Sequence, residues 1–223
     1  VMERTALAQA KERAESDLRA SNARLETLLR EVNHRVANSL QLVSALVSLQ
    51  SNALADEGAR TALQDTQRRI AAIAQVHRRL YTSNNVESVD MRDYLGALVD
   101  ELSETWSSAM APRHVRLVAE PIRLPTDRAV SLGVIVNELV SNACKYAYPA
   151  TAAGEIRVAL RRAGDGFELV VEDDGVGIDP GAAARGTGLG SRVISAMAKS
   201  LHSAIVYDPT HQGVRATLRC AEA

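Results

Sequence analysis

Residues 2–50 contain neither proline nor glycine. Apolar side chains recur through this stretch at Leu18, Leu25, Leu29, Val32, Val36, Leu40, Val43 and Val47. So long a run with no breaker and with steps mostly of three and four predicts one continuous helix carrying a coiled-coil or bundle seam. A second periodic stretch, residues 57–81, sets Leu63, Ile70, Ile73, Val76 and Leu80 on one face, and Ser51-Asn-Ala-Leu-Ala-Asp56 reads as the turn between the two. Two such helices form an antiparallel hairpin. The first is longer than the second can cover, so part of its stripe stays in water unless another copy buries it. The pattern therefore predicts a parallel homodimer, its two hairpins making a four-helix bundle.

The helical pattern ends at Thr82-Ser-Asn-Asn85, which places a boundary between residues 1–85 and 86–223. Downstream, an amphipathic helix runs from 91 to about 109, and a second over 126–147 buries Leu132, Ile135, Val136, Leu139, Val140 and Ala143. A third helix spans 189–201. Short strands are expected at 115–119, 122–124, 156–160, 167–172, 204–207 and 214–218. Helices on one face of a mixed sheet make a two-layer α/β sandwich, so the whole chain is α plus α/β.

Three segments of this second part bear on chemistry. In Asn137-Glu-Leu-Val-Ser-Asn-Ala-Cys-Lys-Tyr146 the helical period aligns Glu138, Asn142 and Lys145 in one row. An amide oxygen suits magnesium, which binds together with substrate phosphates, and a lysine meets phosphates as a point charge. In Glu172-Asp-Asp-Gly-Val-Gly-Ile178 an aspartate closes a strand, and the glycines after it let the backbone approach a flat base. Gly186-Thr187-Gly188-Leu189-Gly190 opens a helix, presenting free N–H groups and the positive end of the dipole to phosphate.

In order, spacing and context these segments resemble the N, G1 and G2 boxes of Bergerat-type ATP-binding domains. Such domains occur in histidine kinases, type II topoisomerases, heat-shock ninety chaperones and mismatch-repair ATPases. The resemblance implies that Mg2+ and ATP bind here. It gives Asn142 to the metal, and Lys145 and Tyr146 to the nucleotide. Asp173 takes the adenine amino group, with Gly175 and Gly177 at the base, and Gly186, Thr187, Gly188, Leu189 and Gly190 take the phosphates. Residues 178–185 become the lid. Thr217 is a weaker candidate for the adenine pocket, and Arg185 and Arg192 are further candidates for phosphate contact.

The first helix carries Glu31-Val-Asn-His34-Arg35-Val36-Ala37-Asn38-Ser39-Leu40-Gln41. His34 has polar neighbours at Arg30, Glu31, Asn38 and Gln41, the setting of an exposed imidazole able to attack a γ-phosphate. This segment resembles the phosphoacceptor box of variant sensor histidine kinases that are sister to the HWE kinases. The stretch from Arg69 to Tyr81, with Val89-Asp90 and Tyr94-Leu95 after it, is similar to their second helix and linker. The likeness covers roughly residues 25–220. It implies autophosphorylation of His34 from Mg-ATP and transfer to the receiver domain of a response regulator. The alternative is a dimeric phosphotransfer or phosphatase scaffold with a non-catalytic nucleotide site.

The departures are specific. The box commonly reads H-R-V-K-N-N-L-Q after another histidine, whereas here Ala37, Ser39 and Asn33 stand at those places. Arg35 stands where the commonest histidine kinases have an acid, so the base for the imidazole proton is not adjacent; Glu138 is the candidate. Asn137 stands where HWE kinases proper have a histidine. His77 is second in line as acceptor, and no constellation surrounds His114, His202 or His211.

A net charge of −1 and a pI of about 6.6 argue against nucleic acid as a main partner. Cys144 and Cys220 have no diagnostic spacing and suggest reduced thiols in a cytoplasmic setting. Because the first helix begins inside its own seam, a sensor domain upstream is expected.

Overall fold

The computed structural model describes residues 2–82, 88–106, 111–149, 151–178 and 189–221. It opens with α1 (Met2–Ala53) and α2 (Glu57–Thr82), which pack on each other as a hairpin. The helical pattern continues through Ser51 to Ala53, leaving three residues for the turn. The Asp56 carboxylate accepts the Ala59 N–H at 2.6 Å and caps α2. Ser51 is buried there, its hydroxyl donating to the Arg60 carbonyl at 3.3 Å.

The expected single seam resolves into two stripes. Ala37, Leu40, Ser44, Val47 and Ser51 follow the three-four spacing on the buried side of α1, and Ala74 of α2 is buried with them. Leu18, Leu25, Leu28, Val32, Leu42, Val43, Leu46 and Leu49 stay exposed, Leu25 at 55%. Ala37, which stands where the resemblance expects lysine, is thus part of the hairpin contact rather than of a polar face.

The second part contains β1 (Ser88–Asp90), α3 (Met91–Trp106), β2 (Arg113–Ala119), β3 (Arg123–Pro125) and α4 (Thr126–Tyr146). It continues with β4 (Gly154–Ala163), β5 (Gly166–Asp173), α5 (Leu189–Ser200), β6 (Ile205–Tyr207) and β7 (Val214–Ala221). Five strands form a mixed sheet in the order β2-β4-β5-β7-β6, with only β2 and β4 parallel. The strand expected at 122–124 does not join that sheet. It is β3, which pairs with the short β1 in a separate two-stranded ribbon.

One sheet face is covered and the other is open. Ile156, Val158, Leu160, Phe167, Leu169, Val171, Ala216 and Leu218 alternate inward. They pack with Leu95 and Leu98 of α3, with Ile194 and Ala198 of α5, and with all six residues expected on the apolar face of α4. Arg157, Glu168, Glu172, Arg215 and Arg219 alternate outward, where opposite charges pair across strands.

α3 crosses α4 at a glycine. A Cβ on Gly133 would lie 2.0 Å from the Tyr94 hydroxyl and within 3 Å of two ring atoms. Gly133→Ala should therefore destabilise the protein by about 1–3 kcal/mol. Adding Tyr94→Phe to that variant should restore part of the loss. Thermal melts of the two variants against wild type test this; an unchanged midpoint for Gly133→Ala would contradict the close packing.

Candidate nucleotide-binding site

The site is built where the C-terminal end of α4 meets the end of β5. The last carbonyls of a helix lack partners and carry partial negative charge. Arg113, the buried first residue of β2, answers both needs. Its guanidinium donates to the carbonyls of Cys144 at 3.2 Å and Pro149 at 3.0 Å, and also to that of Ala152. It lies 5.6 Å from the centroid of the Tyr148 ring. Tyr148 in turn donates its hydroxyl to the Glu155 carbonyl at 2.7 Å and accepts the Asp174 N–H at 3.1 Å. One arginine and one tyrosine thus tie the helix end to β4 and to the turn that follows β5.

That turn, residues 174–178, is wedged between two supports. On one side the Val176 N–H donates to the Ala147 carbonyl at 2.9 Å, and a Cβ on Gly175 would strike the same oxygen at 2.2 Å. On the other side Gly177, at φ +72°, lies beside the carbonyls of Gln212 and Gly213. Both glycines are set by geometry, one by close approach and one by its dihedral.

Two consecutive acids at the turn have opposite environments. Asp173 points to the covered side of the sheet and is 3% exposed. Its Oδ1 accepts the N–H groups of Gly175 at 3.0 Å and Val214 at 3.3 Å, while Oδ2 receives no bond among the described residues. Burial pushes its carboxyl above the usual range against the pull of those bonds. Asp174 lies on the open side, held bidentate by Arg157 with both bonds at 2.7 Å, which keeps its carboxyl below the usual range. Of the two acids, Asp173 is held by main-chain N–H groups on the covered side and Asp174 by an arginine on the open side.

On α4 the row Glu138, Asn142 and Lys145 keeps its helical alignment. Glu138 is 4% exposed rather than solvated, and Asn142, Lys145 and Tyr146 are half-buried. The Lys145 ammonium sits 5.4 Å from the Trp106 ring centroid. Asn142 fits an ion that takes most of its ligands from water and phosphate. Among the described residues, no group of three or more His, Cys, Asp or Glu side chains is arranged to hold a metal.

Thr217 is not brought to this place. It pairs with Val170 on the open face of the sheet, three residues beyond Val214, which is the residue that faces Asp173. The odd spacing of the alternation decides this. Gly190 is buried in the first turn of α5, where Leu189 begins the helix. Gly186, Thr187, Gly188, Arg185 and all but the first residue of the proposed lid lie outside the described residues. His34 lies on α1, but its side chain and that of His77 are outside the described set. Beside His34, Glu31 accepts a bond from Arg35 at 2.6 Å.

The sequence reading missed His211. It stands in the loop between β6 and β7, its Nε2 2.8 Å from the Asp173 carbonyl oxygen and 3.5 Å from Asp174 Oδ1. The pairing of β5 with β7 creates this neighbourhood between residues 38 positions apart. Only the adjacent His-Gln-Gly turn hinted at a loop.

Residues 31–106 match a family model described as histidine kinase, and residues 107–218 one described as histidine kinase-like ATPase domain. The chain is 33% identical over 157 residues to the sensor histidine kinase PdtaS of Mycobacterium tuberculosis, covering 70% of this chain and 31% of that protein. It is 25% identical over 181 residues to blue-light-activated histidine kinase 2 of Erythrobacter litoralis, covering 79% of this chain and 52% of the relative. It therefore spans about half of the second relative's length and less of the first. The histidine kinase domain of Erythrobacter litoralis EL346 matches with a TM-score of 0.59 at 21% identity, over 89% of this chain and 92% of that one, a likeness of fold.

The buried charge of Asp173 has a measurable cost. Its folded-state value lies above the unfolded one, so the stability it lends is present at low pH and is lost as pH rises through the folded value. Asp173→Asn keeps the acceptor without the charge. At about neutral pH the ligand-free variant should melt at or above the wild-type temperature, and the gap should close toward about pH 4. Melting curves across that range check the sign; a wild type more stable at neutral pH would contradict it.

Proposed function

From a chain that belongs to the sensor histidine kinases, of the type related to the HWE kinases, we propose a working autokinase with Asp173 at its adenine pocket and His34 as acceptor. The observation that carries it is the buried Asp173, held at the end of a central strand by the turn that packs on the end of the helix bearing Glu138, Asn142 and Lys145. The adenine amino group donates to Asp173 Oδ2. Asn142 would hold Mg2+, which would supply charge neutralisation to the phosphates, and Lys145 adds to it as a point charge. The segment from Gly186 to Gly190 supplies N–H groups at the start of α5. An imidazole nitrogen of His34 attacks the γ-phosphorus, the bond to the bridging oxygen breaks, and ADP leaves with the electron pair. Positioning and charge neutralisation carry most of the rate. Glu138 takes the imidazole proton.

The phosphoryl group then passes to an aspartate of a response-regulator receiver domain. An upstream sensor domain sets the activity, and the catalytic core works on the cytoplasmic side, where ATP is. The boundary between the phosphotransfer hairpin and the ATPase domain lies at residues 85–86. A scaffold with a decayed site is disfavoured because the described N-box and G1-box residues are all retained. Among the described residues no helix is long and apolar enough to cross a membrane. Incubation with γ-labelled Mg-ATP should give acid-labile, base-stable label on the wild type. In His34→Ala the label should be lost while ADP binding stays near wild type. Label persisting in that variant moves the acceptor elsewhere, and label absent from wild type removes the kinase reading.

The exposed stripe of α1 supports a parallel homodimer through the hairpin. Burying leucine- and valine-sized side chains is worth roughly 1.5–3 kcal/mol each, enough over several to offset the cost of association. Light scattering at micromolar concentration should give about twice the 24.0 kDa chain mass. Leu25→Glu with Leu28→Glu should shift it toward one chain without weakening ADP binding. A wild type of one chain mass refutes the dimer.

A further inference from the structure

We infer that His211 is a positioning residue for nucleobase choice: its ring fixes the loop between β6 and β7 against Asp173 and so sets where the base-reading carboxylate stands. The inference rests on the assignment of Asp173 to adenine. Both groups facing Nε2 are acceptors, the Asp173 carbonyl at 2.8 Å and the Asp174 carboxylate at 3.5 Å, so this nitrogen carries the hydrogen and donates. The ring is 12% exposed, which shields the bond from water.

Three contacts from this short loop and the first residue of β7 converge on Asp173. His211 donates to the main-chain carbonyl of Asp173. The Val214 N–H donates to its Oδ1 at 3.3 Å. Gly213 lies so close that a Cβ there would be 2.1 Å from the Asp173 carbonyl oxygen and 2.6 Å from Oδ1. The loop is itself braced by Asp208, whose Oδ1 accepts the Thr210 N–H at 2.9 Å and hydroxyl at 2.6 Å. Without the imidazole, the loop keeps the Val214 bond but loses the tie on the other side of Asp173. The carboxylate is then free to shift by fractions of an ångström. Adenine gives Asp173 a donor where hypoxanthine gives an acceptor, so selectivity between them depends on the placement of Oδ2 more than overall affinity does.

The test compares Mg-ADP and Mg-IDP binding by calorimetry on the whole 223-residue chain, with folding checked by melting. His211→Gln can place its amide donor near the Nε2 position; His211→Asn falls short of it, and His211→Phe fills the space without a donor. The Gln variant should keep the wild-type preference for ADP within about threefold, while the Asn and Phe variants should lose about tenfold of it. If His211→Phe does not fold, the Gln and Asn pair decides. Wild-type preference in folded His211→Asn overturns the role of His211. Asp173→Asn separates the two levels: it should erase or invert the preference for ADP. If it does so while the His211 variants do not, only the present inference fails. If it keeps the wild-type preference, the adenine assignment fails and this inference with it.

Discussion

Asp173 Oδ1 takes two main-chain N–H bonds, one from the turn that follows its own strand and one from the start of β7. The turn, the loop before β7 and, through the turn, the end of α4 are packed around that carboxylate. The turn it caps is pressed against Ala147 at the end of α4 through Gly175 and against the loop before β7 through Gly177. The end of α4 is in turn held by the Arg113 guanidinium and the Tyr148 ring. A buried carboxylate is unfavourable by itself, and the surroundings compensate for it only in part, as its raised protonation range shows. An oriented, poorly hydrated acceptor binds a donor more strongly than a solvated one does.

Much of this was legible in the sequence, for identifiable reasons. The apolar face of α4 and the alternation of β5 follow from periodicity, and every inward residue expected on α4 is buried. The choice of Asp173 over Asp174 comes from resemblance; in the structure strand alternation turns Asp173 inward, and Arg157 engages Asp174 outside. Thr217 shows the limit of sequence position alone. It belongs to the right strand but faces the other way, which only the pairing of Val214 with Asp173 reveals. His211 was invisible for the complementary reason, because its partner is a main-chain carbonyl and leaves no motif.

The helical half gives the same lesson. A single seam was expected on the first helix, yet α1 has two stripes, one from Ala37 to Ser51 packed in the hairpin and a leucine-valine one left outside. Both have three-four spacing, so period alone does not separate them. Ala37 belongs to the first stripe. Its departure from the usual lysine pattern is a packing feature three residues after His34, and the polar character of that segment rests on Arg35, Asn38, Ser39 and Gln41.

The central claim is that the turn wedged between α4 and the β6–β7 loop holds the base of ATP. Amide hydrogen exchange with and without Mg-ADP tests it most directly. The account predicts protection of residues 172–178 and 208–214 together, with edge strand β2 unchanged. Saturating ADP that protects neither segment would contradict it.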